Sequence, residues 1–306
     1  MKKHTLEKIN NIHFLFFDGK LRKEAIIFFR VGVGLFLLLH FLSVQKDFNV
    51  LYGENSLIPS DIQSVYIKNV FLFNRIIEKI NIITNNTENS LLIFKISYIT
   101  CCITIVFGFF SRIFALILLF LQVGLIKSSY YFAYGADYFS SMSLLYIILF
   151  PSDKYFSLRN LFWNYKSNQS DSPFLKLLKI HLNIIYLVSG IEKISGYNWR
   201  NGESIWKSIH LPNFSNDFGI NVNHFGNFPI VFVAIGWGTI IIELLYPVFI
   251  NINKTKKIWL VATISLHISI AAFLNLYFFS TLMVIWNITA YYFDINLKKN
   301  DAHQLN

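Results

Sequence analysis

A glutamate and a lysine stand next to each other where a long apolar stretch of the sequence ends. Glu192 and Lys193 directly follow the residues YLVSGI, and Trp199 comes shortly after them. An ammonium group that is partly removed from water loses proton affinity, so Lys193 could serve as a general base near neutral pH. The alternative is that Lys193 only anchors a helix end at a membrane surface, with its stem in the apolar phase and its charge in water.

Three further ionisable residues lie at the edge of apolar segments or inside them. Asp137 follows Tyr134 by three residues and begins an apolar segment, so it either binds a ligand or proton or caps a helix as its N-cap. Glu243 lies within the apolar segment IIIELLYP, and an ionisable residue in such a segment predicts a functional site. Its alternative role is an internal ion pair with Arg30 or His267. His267 is either a proton relay or a hydrogen-bonded core residue.

The aromatic residues and cysteines indicate a function less specifically than the ionisable residues do. Trp199, Trp206 and Trp237 fit an interfacial belt as well as a pocket that stacks rings. The two cysteines, Cys101 and Cys102, are adjacent, so on a helix they point in different directions and favour neither a disulfide nor a metal site. We find no zinc-ligand spacing, phosphate-binding glycine loop or nucleophile elbow, and we expect no bound metal.

The composition is that of a membrane protein. Of 306 residues, 54% are hydrophobic and only 14% are charged, whereas soluble domains have roughly 25% charged residues. The net charge of +10 would suggest a nucleic-acid partner in a soluble protein. Here the basic residues lie between apolar segments, so membrane topology explains them and the lipid bilayer is the expected partner.

Eight apolar segments are candidate membrane spans, some of them shorter than the about 20 residues that a helix needs to cross the hydrocarbon core. They cover residues 25–45, 91–110, 113–127, 137–150, 174–191, 228–250, 258–275 and 279–293. We predict an all-α, polytopic transmembrane bundle over 25–293, a cytosolic N-terminal segment over 1–24 and a cytosolic tail over 294–306. Residues 65–83 mix apolar and charged types and predict an amphipathic or partly inserted helix.

The distribution of lysine and arginine predicts the orientation of the bundle. With both termini inside, inner segments hold sixteen of these residues and outer segments hold eight. The protein is therefore predicted to lie in a bacterial inner (plasma) membrane with N-in and C-in topology. The polar, turn-rich motifs at 52–59, 134–137 and 189–206 then share the outer face, as a site between helices would require.

Four segments carry a family resemblance. They are FFRVGVGL at 28–35, YGADYFSSMSLLYIILFPSDKYFSLRN at 134–160, YLVSGIEKISGYNWRNGESI at 186–205 and LHISIAAFLNLYFFS at 266–280. In this order they resemble the HTTM family, the horizontally transferred transmembrane domain, which is related to the membrane domain of vitamin K-dependent gamma-carboxylase. The segment around residues 190–202 is the most specific of the four.

The resemblance implies roles for individual residues. Lys193 corresponds to the carboxylase lysine that is taken to deprotonate the hydroquinone form of vitamin K, a step that drives epoxidation and glutamate carboxylation. His267 matches a carboxylase histidine, whereas Glu192 stands where the carboxylase has another lysine. Ala136 stands where the carboxylase has a functional histidine, with Asp137 beside it.

Two functions are compatible with these residues. The first is a quinol-dependent carboxylase or epoxidase type of enzyme, with Lys193, His267 and Asp137 as catalytic residues. Its substrate or cofactor pocket would be lined by Tyr134, Glu192, Trp199 and Glu243, and its cofactor would be a reduced quinone. The second is a non-catalytic membrane factor that helps to mature or export a secreted peptide or protein. A transporter is disfavoured because no internal repeat is visible.

Overall fold

The computed structural model of the chain describes residues 23–53, 56–57, 73–129, 131–159, 173–212, 217–218 and 226–295. Within these ranges all regular structure is helical, which confirms the predicted all-α fold. The predicted cytosolic segments 1–24 and 294–306 lie almost entirely outside the described residues, as do residues 160–172 of the polar loop and half of the motif at 52–59.

The helices form two compact units, one from residues 26–168 and one from residues 169–306 together with 1–25. The described residues of the first unit form six helices, of which the first begins just before the unit boundary: α1 (Lys23–Ser43), α2 (Phe48–Tyr52), α3 (Phe73–Thr84), α4 (Thr87–Phe107), α5 (Ser111–Ser128) and α6 (Gly135–Leu149). A short 3₁₀ turn, Ser152–Lys154, follows them.

The core of the first unit is built largely from aromatic rings. Phe41 of α1 stacks on Tyr98 of α4 with ring centroids 3.9 Å apart. Phe73 of α3 meets Phe94 of α4 edge to face at 4.9 Å, and Phe48 packs against both. Large rings bury much apolar surface. The abundance of phenylalanine in the sequence therefore serves internal packing as well as the outer surface.

A buried arginine ties α1 to the segment that follows α6. Arg30 is fully buried, and its guanidinium donates to the carbonyls of Ser152 at 2.6 Å, Tyr155 at 3.0 Å and Phe156 at 2.5 Å. Gly108 ends α4 in the left-handed region at φ 74°, and a Cβ there would lie 2.6 Å from Arg30 Nη1. Arg30 thus belongs to a structural clamp inside the first unit, and it is not the partner of Glu243.

The second unit is built around one long helix and the segment that packs antiparallel to it. Its helices are α7 (Pro173–Ser195), α8 (Tyr197–Arg200), α9 (Glu203–His210), α10 (Pro229–Leu244), α11 (Tyr246–Phe249), α12 (Lys256–Leu274) and α13 (Tyr277–Asn287), followed by a π-helical turn, Ile288–Tyr292. The helix α7 breaks at Gly196, and the chain continues along α10 through the short helices α8 and α9.

Three glycines allow this close packing against α10. A Cβ at Gly190 would lie 2.6 Å from the backbone nitrogen of Leu244, one at Gly202 would lie 2.5 Å from that of Val233, and one at Gly236 would lie 2.5 Å from the Trp199 carbonyl. Backbone therefore meets backbone at each crossing, as small residues permit in membrane helices.

The described helices agree in position with all eight predicted apolar segments. Five of them, α1, α4, α5, α7 and α12, are long and apolar enough to cross a membrane, and α6 and α10 are shorter apolar helices. The predicted amphipathic helix at 65–83 is described from Phe73 onward, as α3, which buries Phe73, Ile76 and Ile77. The number of spans and their orientation stay predictions.

Candidate functional sites

Lys193 forms a buried ion pair with Glu243. The Lys193 Nζ lies 2.7 Å from Glu243 Oε2 and donates to Ser189 Oγ at 2.6 Å. It also lies 5.0 Å from the ring centre of Trp199, in cation–π geometry. The Lys193 side chain is 17% exposed and that of Glu243 is 7% exposed. The predicted partners Arg30 and His267 are therefore wrong, since Glu243 pairs with Lys193.

The packing of α7 on α10 produces this pair. Gly190 brings the last turn of α7 against the backbone of α10 at Leu244, directly beside Glu243. The second contact, of Gly202 with Val233, lies eleven residues before Leu244 in α10. The two contacts are therefore roughly 16 Å apart at the helical rise of about 1.5 Å per residue. Lys193, in the last turn of α7, thus meets Glu243 in the last turn of α10.

The neighbouring Glu192 has a different environment from Lys193. It is exposed, and no ion pair to it is formed by the described residues. Trp199, by contrast, is half-buried on α8 and covers the Lys193 ammonium. Of the two predicted pocket residues near the break in α7, the structure therefore brings Trp199 to Lys193 and leaves Glu192 on the surface.

His267 lies on α12 in a buried hydrogen-bonded network of the same unit. Its Nε2 is 2.7 Å from the hydroxyl of Tyr186, which also receives a hydrogen bond from Asn287 Nδ2 at 2.8 Å. The hydroxyl of Tyr246 donates to Asn287 Oδ1 at 2.7 Å. The other ring nitrogen, His267 Nδ1, is buried without a hydrogen-bond partner among the described residues.

The polar network continues toward the start of α7. Tyr291 donates to Asn183 Oδ1 at 3.2 Å, and Lys179 pairs with Asp294 at 2.5 Å. The polar residues of α7 that take part recur every three or four positions, which places them on one helix face: Lys179, Asn183, Tyr186, Ser189 and Lys193. This spacing was present in the sequence, and it is the signal that could have identified Asn183 and Tyr186.

Asp137 and Tyr134 lie in the first unit, where they line a cavity of about 200 Å³. Asp137 Oδ2 accepts a hydrogen bond from the backbone nitrogen of Tyr134 at 3.0 Å, and Oδ1 lies 3.9 Å from His40 Nε2. Asp137 is thus the third residue of α6 in a capping box whose N-cap is Tyr134. The predicted N-cap position for Asp137 is wrong by three residues, although its capping role holds.

The rest of this cavity wall is uncharged and combines aromatic, aliphatic and polar side chains. Burial raises the pKa of Tyr52 to about 12, and burial followed by the charge of Asp137 raises the pKa of Tyr134 to about 12. Both phenols are therefore neutral near pH 7. Deeper in the wall, Tyr98 donates to Gln122 at 2.5 Å, and Gln122 donates to Ser140 at 3.0 Å.

The predicted site residues thus fall into two groups. Lys193, Glu243, Trp199 and His267 belong to the second unit, whereas Asp137 and Tyr134 belong to the cavity of the first unit, with His40 as an additional member that the sequence did not reveal. A pocket shared by Lys193, His267 and Asp137 stays a prediction.

Apolar helices of membrane-spanning length, with ionisable residues buried among them, define a multi-pass helical membrane protein. The family model of the HTTM domain matches residues 21–294, so the chain belongs to the HTTM domain family. Comparison with curated proteins and with solved structures gives no match.

Proposed function

We propose that this HTTM protein is a membrane enzyme of the gamma-carboxylase-like type, in which Lys193 removes a proton from a hydroxyl group of a reduced quinone. The observation that supports this most is the ion pair of Lys193 with Glu243 at 2.7 Å, between side chains that are mostly buried in apolar helices. A membrane protein retains such costly groups chiefly where they act on protons, ions or substrates.

Transfer of a proton from Lys193 to Glu243 would let the pair supply a base. Burial penalises the two charges, and their mutual attraction offsets that penalty. When the proton resides on Glu243, the Nζ of Lys193 has a free lone pair and can accept a proton from a hydroxyl group. The hydrogen bond to Ser189 and the Trp199 ring hold Nζ in place during this step.

The polar atoms near the pair fit a small aromatic molecule with oxygen substituents. Glu243 Oε2 makes no aligned hydrogen bond despite its ion pair, and His267 Nδ1 has no partner among the described residues. Glu243 Oε2 could accept a hydrogen bond from a hydroxyl group, His267 Nδ1 could bind an oxygen substituent, and Trp199 offers an aromatic face. A reduced quinone, once deprotonated, would supply the reaction with oxygen that yields an epoxide and drives carboxylation.

Replacing Lys193 by arginine tests this function, because a guanidinium keeps the charge but does not deprotonate. Purified protein in proteoliposomes would be given a short-chain naphthohydroquinone and oxygen, and epoxide formation would be followed by mass spectrometry. We expect wild type and the control Lys207→Arg, whose lysine forms an exposed pair with Glu203, to form epoxide, and Lys193→Arg to form none. Equal epoxide formation by Lys193→Arg would rule out the base role.

A second function, a non-catalytic factor for maturation or export of a secreted peptide, is favoured by one observation. Lys193 has an ion pair, a hydrogen bond and a ring contact within the chain, as a purely structural link between α7 and α10 would have. In that case Lys193→Arg, if stably folded, should still support maturation of the partner, and no epoxide should form with wild type.

The enzyme is further proposed to work from the outer face of a bacterial plasma membrane, with eight spans and both termini inside. The asymmetry of sixteen inner and eight outer lysine and arginine residues supports this orientation. Cysteines introduced at Asn201 and Ser170 should then react with an impermeant maleimide from opposite sides, Asn201 from outside. Reaction of both from one side would contradict the eight-span topology.

A further inference from the structure

The proton positions around His267 follow from one backbone carbonyl. Asn287 Nδ2 lies 2.8 Å from the Met283 carbonyl oxygen, which can only accept a hydrogen bond. The amide nitrogen of Asn287 must therefore face Met283, and the amide oxygen must face Tyr246. The hydroxyl of Tyr246 donates to that oxygen at 2.7 Å, in agreement with this orientation.

The orientation of Asn287 determines where the proton of Tyr186 lies. Asn287 Nδ2 uses its second hydrogen to donate to the Tyr186 hydroxyl at 2.8 Å. The Tyr186 oxygen is thereby an acceptor toward Asn287, and its single proton is left for its other neighbour. That neighbour is His267 Nε2, at 2.7 Å. Tyr186 thus donates to Nε2, which must carry a lone pair.

The lone pair on Nε2 determines the protonation of His267. The ring is 3% exposed, and an imidazolium is disfavoured at such a buried position. A neutral imidazole with a lone pair on Nε2 carries its proton on Nδ1. Nδ1–H is therefore a hydrogen-bond donor, and no described residue accepts from it. A buried donor without a partner is costly, which points to an acceptor brought by another molecule.

We propose that Asn287 and Tyr186 are positioning residues that hold neutral His267 with its proton on Nδ1, so that His267 donates a hydrogen bond to an oxygen atom of the bound quinol. The identity of this acceptor rests on the function proposed above, whereas the tautomer follows from the network alone. His267 then binds and orients the substrate, and Lys193 alone accepts the proton.

Nitrogen NMR of protein labelled with ¹⁵N in its histidine rings tests the tautomer directly, with the His267→Gln variant assigning the signals. We expect the proton on Nδ1 in wild type and a shift toward the Nε2–H form in Tyr186→Phe, which no longer donates to Nε2. Tyr246→Phe is a matched control, because it removes an equally buried hydroxyl of the same network but leaves Asn287 oriented by Met283. It should retain the Nδ1–H form.

An Nε2–H form in wild type, or an equal loss of Nδ1–H in Tyr186→Phe and Tyr246→Phe, would overturn the positioning role. The hydrogen bond from His267 to an oxygen atom of the quinol is tested by adding a short-chain naphthohydroquinone under anaerobic conditions. We expect it to shift the Nδ1–H signal in wild type and in Lys193→Arg, and to bind about tenfold more weakly to Tyr186→Phe, since one hydrogen bond is lost.

The two proposals fail in different ways. If the hydroquinone leaves the Nδ1–H signal of wild type unchanged while Lys193→Arg abolishes epoxide formation, the donor role of His267 is wrong and the base role of Lys193 stands. If the signal shifts but Lys193→Arg keeps full epoxide formation, the donor role stands and the base role is wrong.

Discussion

The two units of the protein contain similar polar residues but satisfy them in different ways. In the first unit, Asp137 accepts from a backbone nitrogen and lies with His40 at the wall of a cavity of about 200 Å³. In the second unit, Glu243 and His267 are buried among close-packed helices, and Glu243 is balanced by Lys193. Removing a carboxylate that accepts from a backbone nitrogen should therefore cost little stability. Removing one partner of a buried ion pair leaves an uncompensated charge and should cost much more.

The largest expected effect is therefore the loss of Glu243. Glu243→Ala leaves Lys193 as an unpaired buried charge, and we expect it to lower the free energy of unfolding by about 3–5 kcal/mol. Glu243→Gln should cost less, because the amide can still accept from Lys193. Thermal unfolding in detergent would measure both, with Glu203→Ala as the control in an exposed pair, where the loss should be much smaller than that of Glu243→Ala. Similar small effects of all three variants would show that Glu243 is hydrated.

The next largest effect concerns the close crossing of α7 and α10. Gly190→Ala places a methyl group 2.6 Å from the backbone nitrogen of Leu244, and overpacking of this kind costs about 1–3 kcal/mol. Gly238→Ala is a matched control in α10, because a Cβ there meets nothing within 4 Å. It should be neutral or up to about 1 kcal/mol more stable, since alanine favours the helix. Equal unfolding temperatures for the two variants would argue against the close crossing.

An effect of similar size is expected for the hydrogen-bonded wall of the first unit. Tyr98→Phe leaves Gln122 Oε1 without its donor, which should cost about 1–3 kcal/mol because the oxygen is buried. Tyr138→Phe serves as the control, since the Tyr138 side chain is 49% exposed. Its unfolding temperature should match that of wild type. If Tyr98→Phe also matches wild type, water from the cavity replaces the lost donor.

The smallest effect should come from Asp137. Asp137→Ala removes the capping box of α6, which is worth about 1 kcal/mol. Asp47→Ala is the appropriate control, because Asp47 occupies the N-cap position of α2 without a side-chain capping bond. We expect it to leave the unfolding temperature unchanged. A loss as large as that of Glu243→Ala would mean that Asp137 also neutralises a buried charge.

Helix positions could be predicted from the sequence because apolar runs of membrane-spanning length are a local property. The eight predicted segments agree with helices, and the tight turn at Gly108 follows from the left-handed conformation that glycine allows. The expectation that Glu243 is an ionisable residue inside an apolar segment was also local, since its sequence neighbours are apolar.

The partners of these charges could not be predicted in the same way. Glu243 pairs with a lysine that is fifty positions earlier in the chain, and this pairing depends on how α7 crosses α10 at Gly190. Arg30 instead binds backbone carbonyls, which carry no signature in the sequence. Asn287 and Tyr246 are ordinary polar residues of apolar segments, and only the three-dimensional contacts connect them with His267.

The break of α7 at Gly196 bears on how the proposed lipid-soluble substrate would reach Lys193. The short helix α8 carries Trp199 over the Lys193 ammonium, and it is joined to α7 by one non-helical residue and to α9 by two. Such short elements open locally at a lower free energy than a long helix does. A lipid-soluble molecule could then enter sideways from the bilayer by displacing Trp199 on α8, while α7 and α10 keep their crossing at Gly190.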